Sequence, residues 1–224
     1  MNWTRRVFLQ GAGAVGLLSA LAAAGSPAEL FGLLRPAFAQ APSNEELMKA
    51  GPLGEMSQGS AEAPVTIIEY ASMTCSHCAA FAVGTYPELK SRYIDKGKVR
   101  YIMREFPLDP IAAAGFMLAR FAGDAKYFDV IDLLFHQQAE WAFVKDPLSG
   151  LHKMAKQIGL SDEQVDACLK DQKLLDGIDW VRQRGAEKFG VNSTPTFFIN
   201  GKIQRGALPI DELAKLIDPY LKNG

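Results

Sequence analysis

"EYASMTCSHCAAF", residues 69–81, ends an apolar run at two cysteines with two residues between them. The run starts slightly upstream. "PVTIIEYAS" (64–72) is short, rich in β-branched residues and bounded by Pro64 and a Ser-Met-Thr turn, so a buried central strand is expected. After the cysteines, "CSHCAAFAVGTYPELKSRYI" carries Phe81, Leu89, Tyr93 and Ile94 at helical spacing. Pro87 sits mid-pattern and is expected to kink that helix. "KVRYIMREFP" (98–107) reads as the next strand.

This reading puts Cys75 at a strand-to-helix junction, hence at a helix N-terminus. Unpaired N–H groups and about half a positive charge gather there and favour the thiolate, the nucleophilic form of cysteine. The dipole contributes about 0.3–1 kcal/mol, up to ~2 when partly buried, and one pKa unit is about 1.4 kcal/mol. Alone it moves Cys75 by about one unit. A larger shift needs direct hydrogen bonds, for which the Cys78 thiol and the first-turn N–H groups are the candidate donors. Cys78 follows one turn later on the same face, within disulfide reach. Cys75 is expected to be exposed and to be the sulfur attacked, with Cys78 more buried and resolving the mixed disulfide. His77, when protonated, disfavours the disulfide and makes the pair more oxidising.

Other readings of two close thiols are a metal site and an inert pair. Structural zinc takes four ligands, usually from a second Cys or His pair. The remaining histidines, His136 and His152, lie far off in sequence, and the third cysteine is Cys168. A c-type haem site needs His after the second cysteine, where Ala79 stands. Soft-metal binding by Cys75, His77 and Cys78 stays open, because two thiolates suit Cu(I). Cys168 falls in "QVDACL" on a face with Val165, Leu169 and Leu175, and reads as a buried structural thiol. His136 and Trp141 read as packing residues.

From Asp109 to about Gly190 the pattern is helical throughout, with Ser161-x-x-Gln164 as a capping box. "TPTFFINGKIQRG" then gives two short strands around Asn200-Gly201, a type I′ hairpin signal. "PIDELAKLIDPYL" closes as an amphipathic helix with Pro209 at its start. A parallel crossover followed by an antiparallel hairpin implies an α/β fold. Its mixed sheet is flanked by helices and carries an inserted all-helical lobe.

The chain has 224 residues, 48% hydrophobic and 22% charged, with net charge −1. That suits one globular domain and leaves no electrostatic footprint for nucleic acid. "MNWTRRVFLQGAGAVGLLSALAAAG" is a basic head before a Gly/Ala/Leu-rich stretch, and Ala37-Phe38-Ala39 offers a small-x-small cleavage site. Residues 1–39 therefore read as an export signal, against the alternative of a retained anchor. Arg5-Arg6 before Phe8 and Leu9 resembles a twin-arginine signal, which implies periplasmic export. Cleavage after Ala39 removes Arg5, Arg6, Arg35 and Glu29 and leaves a balance of about −3. Gly11-x-Gly13-x-x-Gly16 lies inside this segment with no strand before it, so it is not read as a nucleotide site. Residues 40–63, rich in Pro, Gly and Ser, read as a mobile arm or a loosely packed lead-in.

A strand, a thiol-pair helix and a downstream Thr-Pro opening a hairpin together resemble the thioredoxin fold. The 116 residues between Cys78 and Pro195 leave room for a helical insertion. With "PVTIIEYASMTCSHC" and "GVNSTPTFFINGK", this resembles the DsbA family of periplasmic thiol oxidases over about residues 62–222. The resemblance implies a thioredoxin-like domain over 64–107 and 191–224 with a helical insertion over 108–190. It implies a cis Thr194-Pro195 bond beside the thiols, where Pro195 leaves neighbouring backbone free to pair with an extended peptide. Glu69 matches an acidic position whose family role is to help move protons, and its side chain either points inward from the buried strand or reaches solvent at the strand end. Ser76-His77 departs from the best-known member, which has proline before the histidine, and this leaves the strength of the oxidant open.

The implied activity is introduction of disulfides into reduced exported proteins through a Cys75–Cys78 redox disulfide, with no other cofactor and no metal. A quinone-linked membrane oxidase of the DsbB type would be the partner. A monomer is expected, since the arm carries no oligomerisation heptads. Disulfide isomerase or reductase activity, and a copper-binding thiol carrier, are the alternatives.

Overall fold

The computed structural model describes residues 43–222, so the export-signal reading of residues 1–39 lies outside the described residues. The chain opens with α1 (Asn44–Met48), capped by Ser43, and β1 (Met56–Gln58). β2 (Val65–Ala71) leads into α2 (Ser76–Ala80), and α3 (Tyr86–Leu89) follows. β3 is Val99–Glu105. The helical block comprises α4 (Pro110–Phe121), α5 (Tyr127–His136), α6 (Gln138–Trp141), α7 (Pro147–Gln157), α8 (Asp162–Leu169) and α9 (Gln172–Phe189). β4 (Thr196–Ile199), β5 (Lys202–Arg205) and α10 (Ile210–Leu221) complete the chain.

The strands form one sheet in the order β1-β3-β2-β4-β5. β2 and β3 are parallel, and the other pairings are antiparallel. β2 is central and nearly all buried, in keeping with its mostly apolar, β-branched sequence. Alternation along it sorts the core. Ile67 and Ala71 face a cluster with Phe81, Leu213 and Ile217, where α2 and α10 pack. Ile68 and Tyr70 face the opposite side with Leu47, Val181 and Phe189, covered by α1 and α9. Asn200 and Gly201 both take positive φ, 44° and 82°, which a two-residue hairpin of mirror-image type needs. Ser161 and Gln164 form the capping box that starts α8.

Two features differ from the sequence reading. The arm expected over 40–63 is partly built into the fold: Met56–Gln58 add an antiparallel edge strand to β3, and Leu47 is buried. Three residues in a Pro/Gly/Ser-rich context carry too little alternation to register as a strand. The helix after the thiols is also not one kinked α-helix, because π turns occupy Phe81–Thr85 and Lys90–Ile94. Pro87 has no N–H, and the ladder shifts to five-residue spacing just before it, with Tyr86 N–H bonding the Phe81 carbonyl.

α9 crosses β2 closely at Gly185, where an added Cβ would lie 2.7 Å from the Tyr70 ring. Gly185→Val is expected to cost about 1–3 kcal/mol through overpacking, seen as a lower urea midpoint with unchanged slope.

Candidate active site

The end of β2 delivers "SMTC" to the start of α2, and Cys75 is the N-cap residue with extended backbone (φ −85°, ψ 117°). The Cys75 N–H bonds Ser72 O at 3.1 Å, and Cys75 O accepts the first helical bond from Ala79 N, also at 3.1 Å. Thr74 Oγ1 donates to Asp109 Oδ2 at 2.5 Å, which ties the loop to the N-cap of α4. Ser76 and His77 occupy the first turn with exposed side chains. Cys78 lies one turn below Cys75 and is wholly buried. Cys75 was expected to be exposed, yet only 9% of it is. The Thr194 carbonyl lies against its sulfur.

The Thr194–Pro195 peptide bond is cis. It lies against the thiols, and in the thiol form Cys75 Sγ–H donates to Thr194 O at 3.3 Å. Thr194 Oγ1 is buried with no hydrogen-bond partner in that state. The Cys75 pKa is pushed down to about 5. The hydrogen bond from the Cys78 thiol is the largest cause, followed after opposing burial by Thr194 and by the N–H groups of Cys78 and His77. The helix dipole alone moves the group by about one unit, so the direct bonds supply most of the shift. Cys78 moves far the other way, raised by burial, by its bond to the Cys75 anion and by the charge of Glu69. One sulfur is thus a stable anion and the other a held thiol.

Glu69 was open between a buried and a solvent-reaching side chain. It is buried, 1% exposed, on the thiol face of β2. Tyr101 on β3 donates its hydroxyl to Glu69 Oε2 at 2.5 Å. Burial pushes the carboxyl up to about 8, with the Cys75 charge adding to the rise. A cavity of about 20 Å³, room for one water, touches Glu69, Tyr86, Tyr101 and Asp132.

Several residues at this site were not singled out from the sequence. Gln138 reaches in from α6 and donates to Met73 O and Cys75 O at 2.8 and 3.1 Å. Asp109 and Tyr101 join it. Tyr101 was legible in part, since it alternates onto the face of β3 that meets Glu69. Gln138 is 63 residues from Cys75, and no local pattern marks it. Cys168 is buried inside the lobe with its pKa raised to about 12 by burial, and it takes no part in the thiol site. Trp141 is buried packing, with its indole N–H bonded to Leu134 O. His136, read as packing, is instead exposed and bonds to Asp132 on its own helix. Among the described residues no group of three or more His, Cys, Asp or Glu side chains is placed to hold a metal ion. Also among them, no helix is long and apolar enough to cross a membrane.

Comparison with known proteins fits this geometry. A family model described as thioredoxin matches residues 53–219. A Rickettsia conorii protein provisionally named a protein-disulfide oxidoreductase is 32% identical over 173 residues, which is 75% of this chain. The aligned part spans 61% of that relative's length. The crystal structure of α-DsbA1 from Wolbachia pipientis superposes with a TM-score of 0.73 at 30% identity, covering 79% of this chain and 96% of that one. Oxidised BdbD from Bacillus subtilis shares the fold, with a TM-score of 0.64 at 19% identity over 81% of this chain and 96% of its own.

Proposed function

The chain belongs to the DsbA-like family of the thioredoxin fold, and from that premise we propose that it is a thiol:disulfide oxidoreductase that introduces disulfides into reduced exported proteins. The observation that carries this reading is the opposed acidity of its two thiols: Cys75 is held low by donors aimed at its sulfur, and Cys78 is held high. A stable Cys75 thiolate stabilises the reduced pair, and a couple whose reduced form is stabilised is an oxidant.

In the proposed reaction a substrate thiolate attacks Cys75 Sγ of the Cys75–Cys78 disulfide. The Cys75–Cys78 bond breaks, and its electron pair passes to Cys78 Sγ, which takes the proton that neutral Glu69 can supply. A second substrate thiolate then attacks the substrate sulfur of the mixed disulfide, and Cys75 departs as a thiolate. Two substrate thiols become a disulfide and the enzyme disulfide becomes a thiol and a thiolate; one substrate proton restores the Glu69 carboxyl and the other goes to solvent. The low pKa of Cys75 makes it a good leaving group in this last step. Pro195 and Thr194 flank the reacting sulfur, and Ser76 and His77 line its open side.

We assign the thiol-bearing domain to 64–107 and 191–224, the helical insertion to 108–190 and the arm to 40–63. The pair works without a further cofactor. The protein acts as a monomer in the periplasm after twin-arginine export and cleavage behind Ala39. A DsbB-like membrane oxidase restores the disulfide. The basic head, the Arg5-Arg6 pair and Ala37-Phe38-Ala39 support this export reading.

Equilibration of the Cys75–Cys78 pair with glutathione tests the direction of the reaction. An oxidase requires a couple near the oxidising end of the family range, whereas a potential like that of cytosolic thioredoxin, about −270 mV, would overturn it. Cys78→Ala supplies a second measurement. It removes the strongest donor to Cys75, so the Cys75 pKa read by thiolate absorbance is expected to rise by at least one unit. Offered a disulfide-bonded substrate, the variant should also accumulate covalent mixed disulfides, because the Cys75 thiolate attacks the substrate disulfide, one substrate sulfur leaves as a thiolate, and no Cys78 is present to resolve the enzyme-bound product.

A further inference from the structure

We propose that Gln138, the first residue of α6 in the helical lobe, is a positioning residue for the thiol pair: its side-chain amide pins the Met73 and Cys75 carbonyls and so fixes the first turn of α2 against the reacting sulfur. The proposal rests on the oxidoreductase reading above and names a residue through which the lobe acts on that site.

The geometry is specific. One amide nitrogen, Gln138 Nε2, donates to Met73 O at 2.8 Å and to Cys75 O at 3.1 Å. The Cys75 carbonyl is also the acceptor of the first bond of α2, from Ala79 N. α2 runs only five residues before the ladder changes to π spacing at Phe81, so it has few bonds of its own to keep that turn regular. The Cys75–Ser76 peptide opens the first turn of α2, and the His77 and Cys78 N–H groups of that turn both act on the Cys75 sulfur. A carbonyl held from a second direction cannot swing without breaking a buried bond. Met73 is wholly buried and Gln138 is 6% exposed, so an apolar side chain at 138 would withdraw a donor from buried carbonyls.

The support behind Gln138 is rigid. Trp141, three residues on, is wholly buried, and its indole N–H bonds Leu134 O at 2.9 Å. Gly150 of α7 lies against the Trp141 backbone, where an added Cβ would come within 2.7 Å of Trp141 Cα. A short helix wedged in this way presents a fixed amide. The neighbouring Gln137 points elsewhere and pairs with Gln157 at 3.1 Å. It provides an internal control of the same residue type.

The experiment compares Gln138→Met, which keeps the volume and removes the donor, with Gln138→Asn, which keeps the amide but is one methylene short, and with Gln137→Met. Each folded protein is read for the Cys75 pKa by thiolate absorbance and for its equilibrium constant with glutathione. Gln138→Met is expected to raise the pKa by about one unit and to make the couple about tenfold less oxidising, about 30 mV. Gln138→Asn should fall between it and the parent, and Gln137→Met should match the parent. Should Gln138→Met not fold, the same two readings on Gln138→Asn decide the matter. A lower melting temperature with both thiol readings unchanged would show a merely structural glutamine and overturn the proposal. The parent protein separates the two levels. If its own Cys75 titrates like free cysteine, the oxidoreductase reading fails; if the parent is acidic and the variants match it, only the role of Gln138 fails.

Discussion

The reduced protein is expected to gain stability over its disulfide form as pH rises from about 5 to about 8.5, by up to about 5 kcal/mol. Cys75 ionises at about 5 when folded, whereas a cysteine in an unfolded chain does so near 8.5. Between those values the folded reduced protein has released a proton that the unfolded chain still holds. Unfolding must then take that proton up, and this becomes harder as pH rises. The contribution is complete above the unfolded value and is lost as pH falls through about 5. The disulfide form has no thiol to titrate, so it lacks the term. It keeps a loop-closure stabilisation that does not depend on pH, and only the slope of the difference is diagnostic. Urea titrations of both redox forms at pH 4, 6 and 8.5 measure it directly. Parallel profiles for the two forms would show that the Cys75 thiolate is not stabilised by folding.

The same electrostatics explains which parts of the site could be read from the sequence. The thiol spacing and the strand before it placed Cys75 at a helix start, and the helix dipole predicts the sign of its pKa shift. The size of the shift could not be read, because it comes from a sulfur one turn away, from Thr194 across the fold and from two particular N–H vectors. β2 was legible because it is short, rich in β-branched residues and bounded by Pro64 and a turn, although Thr66 and Glu69 interrupt its apolar run. β1 was not, since three residues against one neighbour leave almost no pattern. The burial of Glu69 was undecided for a related reason. Position six before Cys75 fixes the face of the strand, but the seal over that face comes from Tyr86, Tyr101 and Phe128, which belong to three other segments. Gln138 marks the limit of such reading. A glutamine in a helical lobe looks like any solvated residue until tertiary packing turns it inward.

Glu69 should produce a pH dependence opposite in sign and similar in size. Its carboxyl titrates near 4.3 in an unfolded chain and at about 8 in the folded protein, chiefly because burial disfavours its charge. Below the unfolded value both states are protonated and nothing is lost. As pH rises toward 8 the unfolded chain ionises while the folded carboxyl keeps its proton, so stability falls by about 5 kcal/mol over that range. In the disulfide form, where the Cys75 charge is absent, burial remains and the decline should persist. In the reduced form it runs against the gain from Cys75 over an overlapping range, and the two slopes largely cancel. Glu69→Gln keeps the shape and an acceptor for the Tyr101 hydroxyl but has no proton to hold. Disulfide-form Glu69→Gln is therefore expected to be nearly flat in stability between pH 5 and 8, and reduced Glu69→Gln to rise with pH more steeply than the parent. The variant should also slow turnover at neutral pH, since the deeply held Cys78 thiol loses a buried carboxyl that acts on it electrostatically. A parent disulfide form with no decline in stability over this pH range, matching Glu69→Gln, would mean that the buried carboxyl is ionised at neutral pH, which removes it from proton transfer to Cys78.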